Sequence, residues 1–422
     1  MRLLARARVV AARAADNVRP HTTEDRNALL LHADIALQGV VAGGAAAYLS
    51  VFVVRLGASP LLVGLLSSLP SLVMALLALP AGRYVERQSK LIPIVVKSRQ
   101  AFRFSYLLIA LVPWVVPNFA APAIVAIWAI AAAASAFANV SFTAAMAEAV
   151  PPQRRASVIS LRYAIHAVVT AATLPITGAV LDALPFPLGY QVVFAFSFVA
   201  AMGSVWVYSK IVLPDQVTRP RRTERTPVRE RLRQVPGLLV EHRRFLDYVL
   251  STGVFRIGIS LPTALFSIYW VKNLQLDDSA IALVSMVNSI AAVLGYFYWG
   301  RMAKQRGHGP VLAYSGIGLA TYPLITALSG SLPPIVLAAA AGGWFSAGIN
   351  LAFFNVLLAV SPTDRRSAFV SVDTMIAQFI AFAGPLAGSA LTDWIGIREA
   401  LLIATAFRLA GGLLFFIRRV RD

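Results

Sequence analysis

Ser135-Ala136-Phe137-Ala138-Asn139-Val140-Ser141-Phe142 and Ser346-Ala347-Gly348-Ile349-Asn350-Leu351-Ala352-Phe353 spell one pattern, S-A-x-x-N-x-x-F, at two places in the chain. Each copy lies in a long apolar run, and each run ends in a basic loop of the same form. Pro152-Gln153-Arg154-Arg155 follows the first, and Pro362-Thr363-Asp364-Arg365-Arg366 follows the second. Both loops place a serine five residues after the last arginine, Ser160 and Ser371. Further out, one early apolar run ends in Val54-Arg55 and a later one in Val271-Lys272. A chain that repeats itself over such a span is two copies of one structural unit.

The unit is a set of apolar helices. Of the 422 residues, 58% are hydrophobic and only 14% charged, which argues against a soluble enzyme. A helix needs roughly 20 mostly apolar residues to cross the hydrocarbon of a bilayer. Twelve stretches qualify, at 29–54, 60–82, 92–116, 121–147, 157–183, 188–212, 245–271, 279–300, 309–329, 333–360, 367–392 and 399–417. Runs of small residues such as Ala338 to Gly343 suit close helix contacts in lipid. Pro70, Pro175, Pro262 and Pro385 fall inside runs and are expected to kink them. The expected fold is an all-α membrane protein with twelve transmembrane helices in two pseudo-symmetric six-helix bundles. Its segments are a basic N-terminal tail (1–27), the first bundle (28–212), a polar linker (213–244), the second bundle (245–417) and a short tail (418–422).

The net charge of +19 admits two readings, nucleic-acid binding or topology. If both termini are cytoplasmic, Arg55, Lys272 and Arg398 lie outside, Arg256 and Arg408 lie near mid-membrane, and the other 33 of 38 Lys and Arg lie inside. This is the positive-inside pattern, and it predicts an inner, or plasma, membrane protein with cytoplasmic termini. The cations are scattered over separate loops without an aromatic platform, so no nucleic acid is expected as a partner. Nine arginines from Arg219 to Arg244 suit contact with anionic lipid at the cytoplasmic face. The arginine-rich start could lie on the membrane as an amphipathic helix. It also has the look of a transit peptide, which Asp16, Glu24 and Asp25 argue against.

There are no cysteines, and no two of the five histidines stand three or four residues apart. Thiolate chemistry and helical histidine-pair metal sites are therefore excluded. Neither GxxxxGK[ST] nor GxSxG occurs, so no enzymatic activity, metal or cofactor is expected.

The loop after the second run reads Gly82-Arg83-Tyr84-Val85-Glu86-Arg87-Gln88-Ser89-Lys90, or G-x-x-x-[DE]-R-x-x-[KR]. It resembles the signature loop of the major facilitator superfamily. With the repeat and the central linker, the resemblance covers essentially the whole chain. The second copy, Gly300-Arg301-Met302-Ala303-Lys304-Gln305-Arg306-Gly307, is degenerate, with Lys304 at the acidic position. The Gly-Pro motif of drug/proton antiporters is missing from Thr173-Leu174-Pro175-Ile176-Thr177-Gly178; Gly384-Pro385-Leu386-Ala387-Gly388 is nearest. The resemblance implies alternating access, with two halves rocking about a cavity lined by the first and fourth helices of each half.

Candidate residues follow. Gly82, Arg83, Glu86, Arg87 and Lys90 are candidates for a cytoplasmic gate. Asp373, which the repeat aligns with Arg162, is expected to pair with Arg162, Arg83 or Arg87 across the halves. These charges could equally just mark the membrane boundary. Asp34 lies ~10 Å beyond Asn27 along its helix, inside the apolar layer. An intramembrane carboxylate is either a proton carrier or half of a structural ion pair. Gln38 lies one turn on, on the same face. His166, one turn past Arg162, is a second proton-coupling candidate or a packing residue. Arg256, ~16 Å into its helix, has two roles open: binding an anionic substrate group or serving as counter-ion to Asp34. Asn139 and Asn350 are candidate substrate hydrogen-bonders or interhelical glue. Trp344, Tyr269 and Trp270 could supply aromatic walls, the last two equally well an interfacial anchor. Arg103 and Arg408 are expected to be structural. The resulting expectation is a monomeric secondary transporter, coupled to protons, exporting small amphipathic molecules. Import of an organic anion, lipid flipping and a non-transporting sensor are the alternatives.

Overall fold

The computed structural model describes residues 22–88, 90–213, 242–362 and 366–418. Most of the expected linker and both tails lie outside the described residues. Within them the chain forms helices and no strand. The spans are α1 (Thr23–Arg55), α2 (Pro60–Glu86), α3 (Leu91–Val115), α4 (Ala120–Ala149), α5 (Pro152–Ala183) and α6 (Leu188–Ser209). The second set is α7 (Arg243–Asn273), α8 (Asp278–Arg306), α9 (His308–Leu328), α10 (Leu332–Val360), α11 (Arg366–Ile395) and α12 (Ile397–Ile417). Eleven are long and apolar enough to cross a membrane. The exception is α3, whose first half is diluted by Lys97, Arg99 and Arg103.

The helices begin where local chemistry permits. Thr22 accepts a hydrogen bond from the Asp25 N–H at 3.1 Å, and Glu24 and Asp25 suit the positive end of α1. Ser59 caps α2 from Leu62 N–H at 3.3 Å, with Pro60 at its first turn, where a missing N–H does no harm. Large apolar side chains such as Phe196, Trp206, Phe297 and Trp394 are exposed, as expected of faces turned to lipid.

The two sets pack in the same way. In the first, α1 packs on α5 and α6, α4 on α2 and α3, and α3 on α6. In the second, α7 packs on α11 and α12, α10 on α8 and α9, and α9 on α12. Adding six to each helix number maps one list onto the other. The halves meet along two symmetry-related seams, α2 with α11 and α5 with α8.

Two pseudo-equivalent helices are broken mid-membrane. In α1 a π-helical turn spans Ala42–Ala46, where Gly44 has φ −97° and ψ −112°. A Cβ on Gly44 would stand 2.6 Å from Ser197 Oγ, so glycine is needed for that approach. The same hydroxyl accepts from Ala45 N–H at 3.0 Å, satisfying a donor near the break. In α7 the regular helix stops at Ser260 and resumes at Leu265. There Pro262 has no N–H to offer. Both breaks fall roughly three turns before the matched Val54-Arg55 and Val271-Lys272 ends.

Candidate functional site

An even number of spans puts the start of α1 and the end of α12 at one end of the molecule, the terminal end. At the far end, hydrogen bonds join the halves. Arg55 reaches from α1 to α8: its Nη2 donates to Asp278 Oδ1 and to the Leu276 carbonyl, both at 3.0 Å. Its Nε donates to Tyr190 Oη at 3.0 Å, and Tyr190 donates to Asp278 Oδ1 at 2.6 Å. Tyr48 Oη donates to the Asp278 carbonyl at 2.9 Å. Asp182, at the end of α5, accepts the N–H groups of Asp278 and Ser279 at 3.0 Å each. A carboxylate from one half thus sits on the positive end of a helix in the other, where the first N–H groups lack helical partners. Lys272 Nζ donates to the Ala58 carbonyl at 2.8 Å, and the Ser50 and Ser267 hydroxyls meet at 2.6 Å. A Cβ on Gly178 would lie 3.0 Å from the Asp278 carbonyl and 2.8 Å from Ala282 Cβ, so α5 and α8 touch almost backbone to backbone.

Toward the terminal end the charges pair within each half, which corrects two expectations. Asp373 meets neither Arg162 nor the loop arginines; it holds Arg256 in a two-pronged pair at 2.6 and 3.0 Å. Arg256 is therefore the counter-ion of Asp373 and not of Asp34. Its guanidinium also stands 5.1 Å from the Phe353 ring centroid. Asp34, fully buried, accepts from Arg99 at 2.9 Å and from Ser204 at 2.5 Å, with Arg162 Nη2 at 3.5 Å. Arg162 also donates to the Leu31 carbonyl at 2.6 Å. Packing decides the outcome. α1 lies against α5 and α6, and α7 against α11, so each charge meets a partner in its own half. The same helix pair is bridged in both halves with reversed polarity: carboxylate on α1 and guanidinium on α5, guanidinium on α7 and carboxylate on α11.

The signature loop is at the terminal end, with Arg83, Arg87 and Lys90 exposed and Gly82 half-buried. The side chain of Glu86 lies outside the described residues. Tyr84 packs edge-on against Phe137 with centroids 5.7 Å apart.

Between the halves is a cavity of about 340 Å³, lined by Ala42 and Ala47 of α1, Thr170 and Leu174 of α5, Trp270 of α7, Val284, Ser285, Asn288 and Ser289 of α8, and Tyr322 of α9. Of the expected aromatic walls Trp270 lines it, while Arg256, Asn139, Asn350, Gln38, Trp344 and Tyr269 do not. Tyr269 is fully buried and its hydroxyl donates to the Ser329 carbonyl at 2.6 Å, so it is a strut and not a wall. Trp344 is half-buried against Tyr298, with centroids 5.2 Å apart, and its carbonyl accepts from Trp299 Nε1 at 2.8 Å. Asn139 and Asn350 are exposed at matched sites on α4 and α10; Asn350 Nδ2 lies 3.4 Å from Tyr296 Oη. Gln38 and His166 are half-buried near the α1–α5 contact. The cavity residues missed by the sequence reading carried one signal. Ser285, Asn288 and Ser289 make a polar stripe at helical spacing inside an apolar run.

Arg408 has a structural task. It is 4% exposed; its Nε donates to the Gly258 carbonyl at 2.8 Å and its Nη1 to the Leu319 carbonyl at 3.0 Å. Both carbonyls are four residues before a proline, Pro262 and Pro323, and so have no i+4 N–H to accept from. Arg408 repairs two breaks at once. Arg408→Met is expected to strand both carbonyls and cost on the order of 2–4 kcal/mol, read as a lower melting temperature in detergent. Unchanged melting would refute this role. Arg103 likewise donates to the Ala201 carbonyl, tying α3 to α6.

The profile of the Major Facilitator Superfamily matches residues 35–246 and 248–422. Curated protein sequences give no match. Among solved structures, a variant of the nucleoside transporter NupG superposes with a TM-score of 0.72 at 12% identity, over 93% of this chain and 99% of that one. A bacterial homologue of the human lysosomal transporter Spinster, inward-facing and unoccupied, gives 0.69 at 14% identity, over 96% and 99%. Its occupied form gives 0.68 at 14%, over 94% and 97%. At these identities the likeness speaks for the fold. The sequence profile, the repeated helix packing and the apolar spans agree that the chain is a multi-pass membrane transporter of the major facilitator superfamily.

Proposed function

We propose that the chain exports small amphipathic molecules by alternating access in exchange for protons, with its terminal end in the cytoplasm. The observation that carries this is the far-end latch. Arg55, Asp278, Tyr190, Tyr48 and Asp182 join the halves through side-chain contacts that a rocking motion can break and remake. With that end held shut, the state is the one that receives substrate from the terminal side. The excess of basic residues on that side supports the cytoplasmic assignment.

Asp34 supports the proton coupling. One carboxylate on α1 binds groups on α3, α5 and α6, so neutralising it would loosen four helices of one half together. Asp373, with Arg256, is the matching carboxylate in the other half. Cytoplasmic gating by the signature loop, by Asp373 and by Arg162 belongs to the same reading. Import of an organic anion has lost its support, because Arg256 is already neutralised.

The test is flux in proteoliposomes under an imposed pH gradient, acidic on the far-end side. Uptake of an amphipathic probe against its gradient should rise at least tenfold over the no-gradient control. The gradient dependence should vanish in Asp34→Asn. No proton movement with any probe, or a gradient dependence unchanged by Asp34→Asn, would overturn the coupling.

A further inference from the structure

Among the described residues no charged side chain lines the cavity between the halves, though Arg408 lies close enough to Tyr322 of its wall to interact with that phenol electrostatically. Asp34, Arg99, Arg162, Arg256 and Asp373 are bound to one another, and none lines it. Arg256, on α7 like Trp270, lies 14 residues earlier, ~20 Å along the axis. What faces the cavity is neutral. Trp270 lines it, and its buried Nε1–H finds no acceptor among the described residues. A buried indole N–H usually has one. Asn288 spends one N–H on the Ala339 carbonyl at 3.0 Å, leaving its Oδ1 as an acceptor. Ser285 adds a hydroxyl from the preceding turn of α8 and Tyr322 a phenol from α9. Tyr322 stacks on Phe266 at 4.6 Å, and Phe266 lies 6.1 Å from Trp270, so one wall is a bank of rings. Methyl groups of Ala42, Ala47, Leu174 and Val284 complete it.

We propose that the substrate this cavity takes is an uncharged molecule with a flat face and hydrogen-bonding groups on its edge. The inference rests on the transport reading above. The flat face lies along the aromatic wall. An edge oxygen accepts from Trp270 Nε1, and an edge N–H or O–H donates to Asn288 Oδ1. Among the described residues the lining supplies no carboxylate for a cation and no guanidinium or ammonium for an anion, and Arg408, near Tyr322, is already held by two carbonyls, so the site disfavours ionised groups. At about 340 Å³ the space suits a small ligand.

The test uses the full chain in nanodiscs and direct binding of size-matched probes. The neutral probes are uridine and 4-nitrophenyl glucoside. The charged ones are uridine 5′-monophosphate, 4-nitrophenyl phosphate and tetraphenylphosphonium. At least one neutral probe should bind, at least tenfold more tightly than any charged one. Trp270→Phe keeps the ring and removes only the N–H; it should weaken that binding at least tenfold, as should Asn288→Ala. Ser285→Ala, a milder change, guards against a folding defect in either. Charged probes binding as well as neutral ones, no neutral probe binding, or affinities unmoved in all three variants would overturn the proposal. Distances between spin labels at Asn118→Cys and Gly330→Cys, across the far end, are read on the same samples. A far end that never moves, whatever binds, would count against alternating access and not against the choice of substrate.

Discussion

Asp373→Ala should destabilise the protein by on the order of 3–5 kcal/mol, and adding Arg256→Met should recover most of that loss. The single change leaves a guanidinium, 16% exposed, with no partner for either of the two prongs that Asp373 supplied. A cation in that position must drag in water or tear open the contact between α7 and α11. The double change leaves two apolar side chains in a place built for helix packing, which is close to neutral for a buried pair. Melting in detergent across the four combinations reads the coupling directly. Additive losses would mean that the pair is not the unit described. The reversed pair, Arg256→Asp with Asp373→Arg, should melt near the native protein, because the first half already uses that polarity between α1 and α5.

That polarity reversal shows where sequence reading stops. The depth of Asp34, Arg162, Arg256 and Asp373 follows from counting along each helix, and so does the conclusion that each needs a reason to be there. The partner does not follow, because it depends on which helix faces meet. Aligning Arg162 with Asp373 across the repeat suggested that the two bind each other. The structure shows that aligned positions play matched parts in separate halves: Arg162 with Asp34, Asp373 with Arg256.

The spans were legible because hydrophobic length is a one-dimensional property. Their ends shifted where capping or amphipathic turns carry a helix past its apolar run, as α5 does in starting at Pro152 and α1 at Thr23. The break in α7 was foreshadowed by Pro262. The break in α1 depends on Gly44 meeting Ser197 of α6, a contact between distant residues that no local rule supplies. The cavity escaped for a related reason. Asn139 and Asn350 stand out because they repeat, whereas Asn288 is notable only once α8 is seen turning it toward Trp270 and Tyr322.

The far-end latch carries the other large expected effect, on the balance between states. Asp278→Asn weakens the two contacts from Arg55 and the one from Tyr190, and Asp182→Asn removes the negative charge from the start of α8. Losing one partner of a hydrogen-bonded charge pair typically costs 2–5 kcal/mol. Since these contacts exist only while the far end is shut, the cost falls on one state and moves the equilibrium, by about thirtyfold or more for ~2 kcal/mol. The chain has no cysteine, so labels can be placed without background. Asn118→Cys and Gly330→Cys, in the loops before α4 and α10, report the far end; Arg87→Cys and Gln305→Cys report the terminal end. In the double variant the first distance should lengthen while the second shortens. Both distances must move, and in opposite senses, because a latch that merely frayed would open the far end and leave the terminal end as it was. Unchanged distances would show that the halves are held by the α2–α11 and α5–α8 seams and that Arg55, Asp278 and Asp182 are ornaments on a closed door.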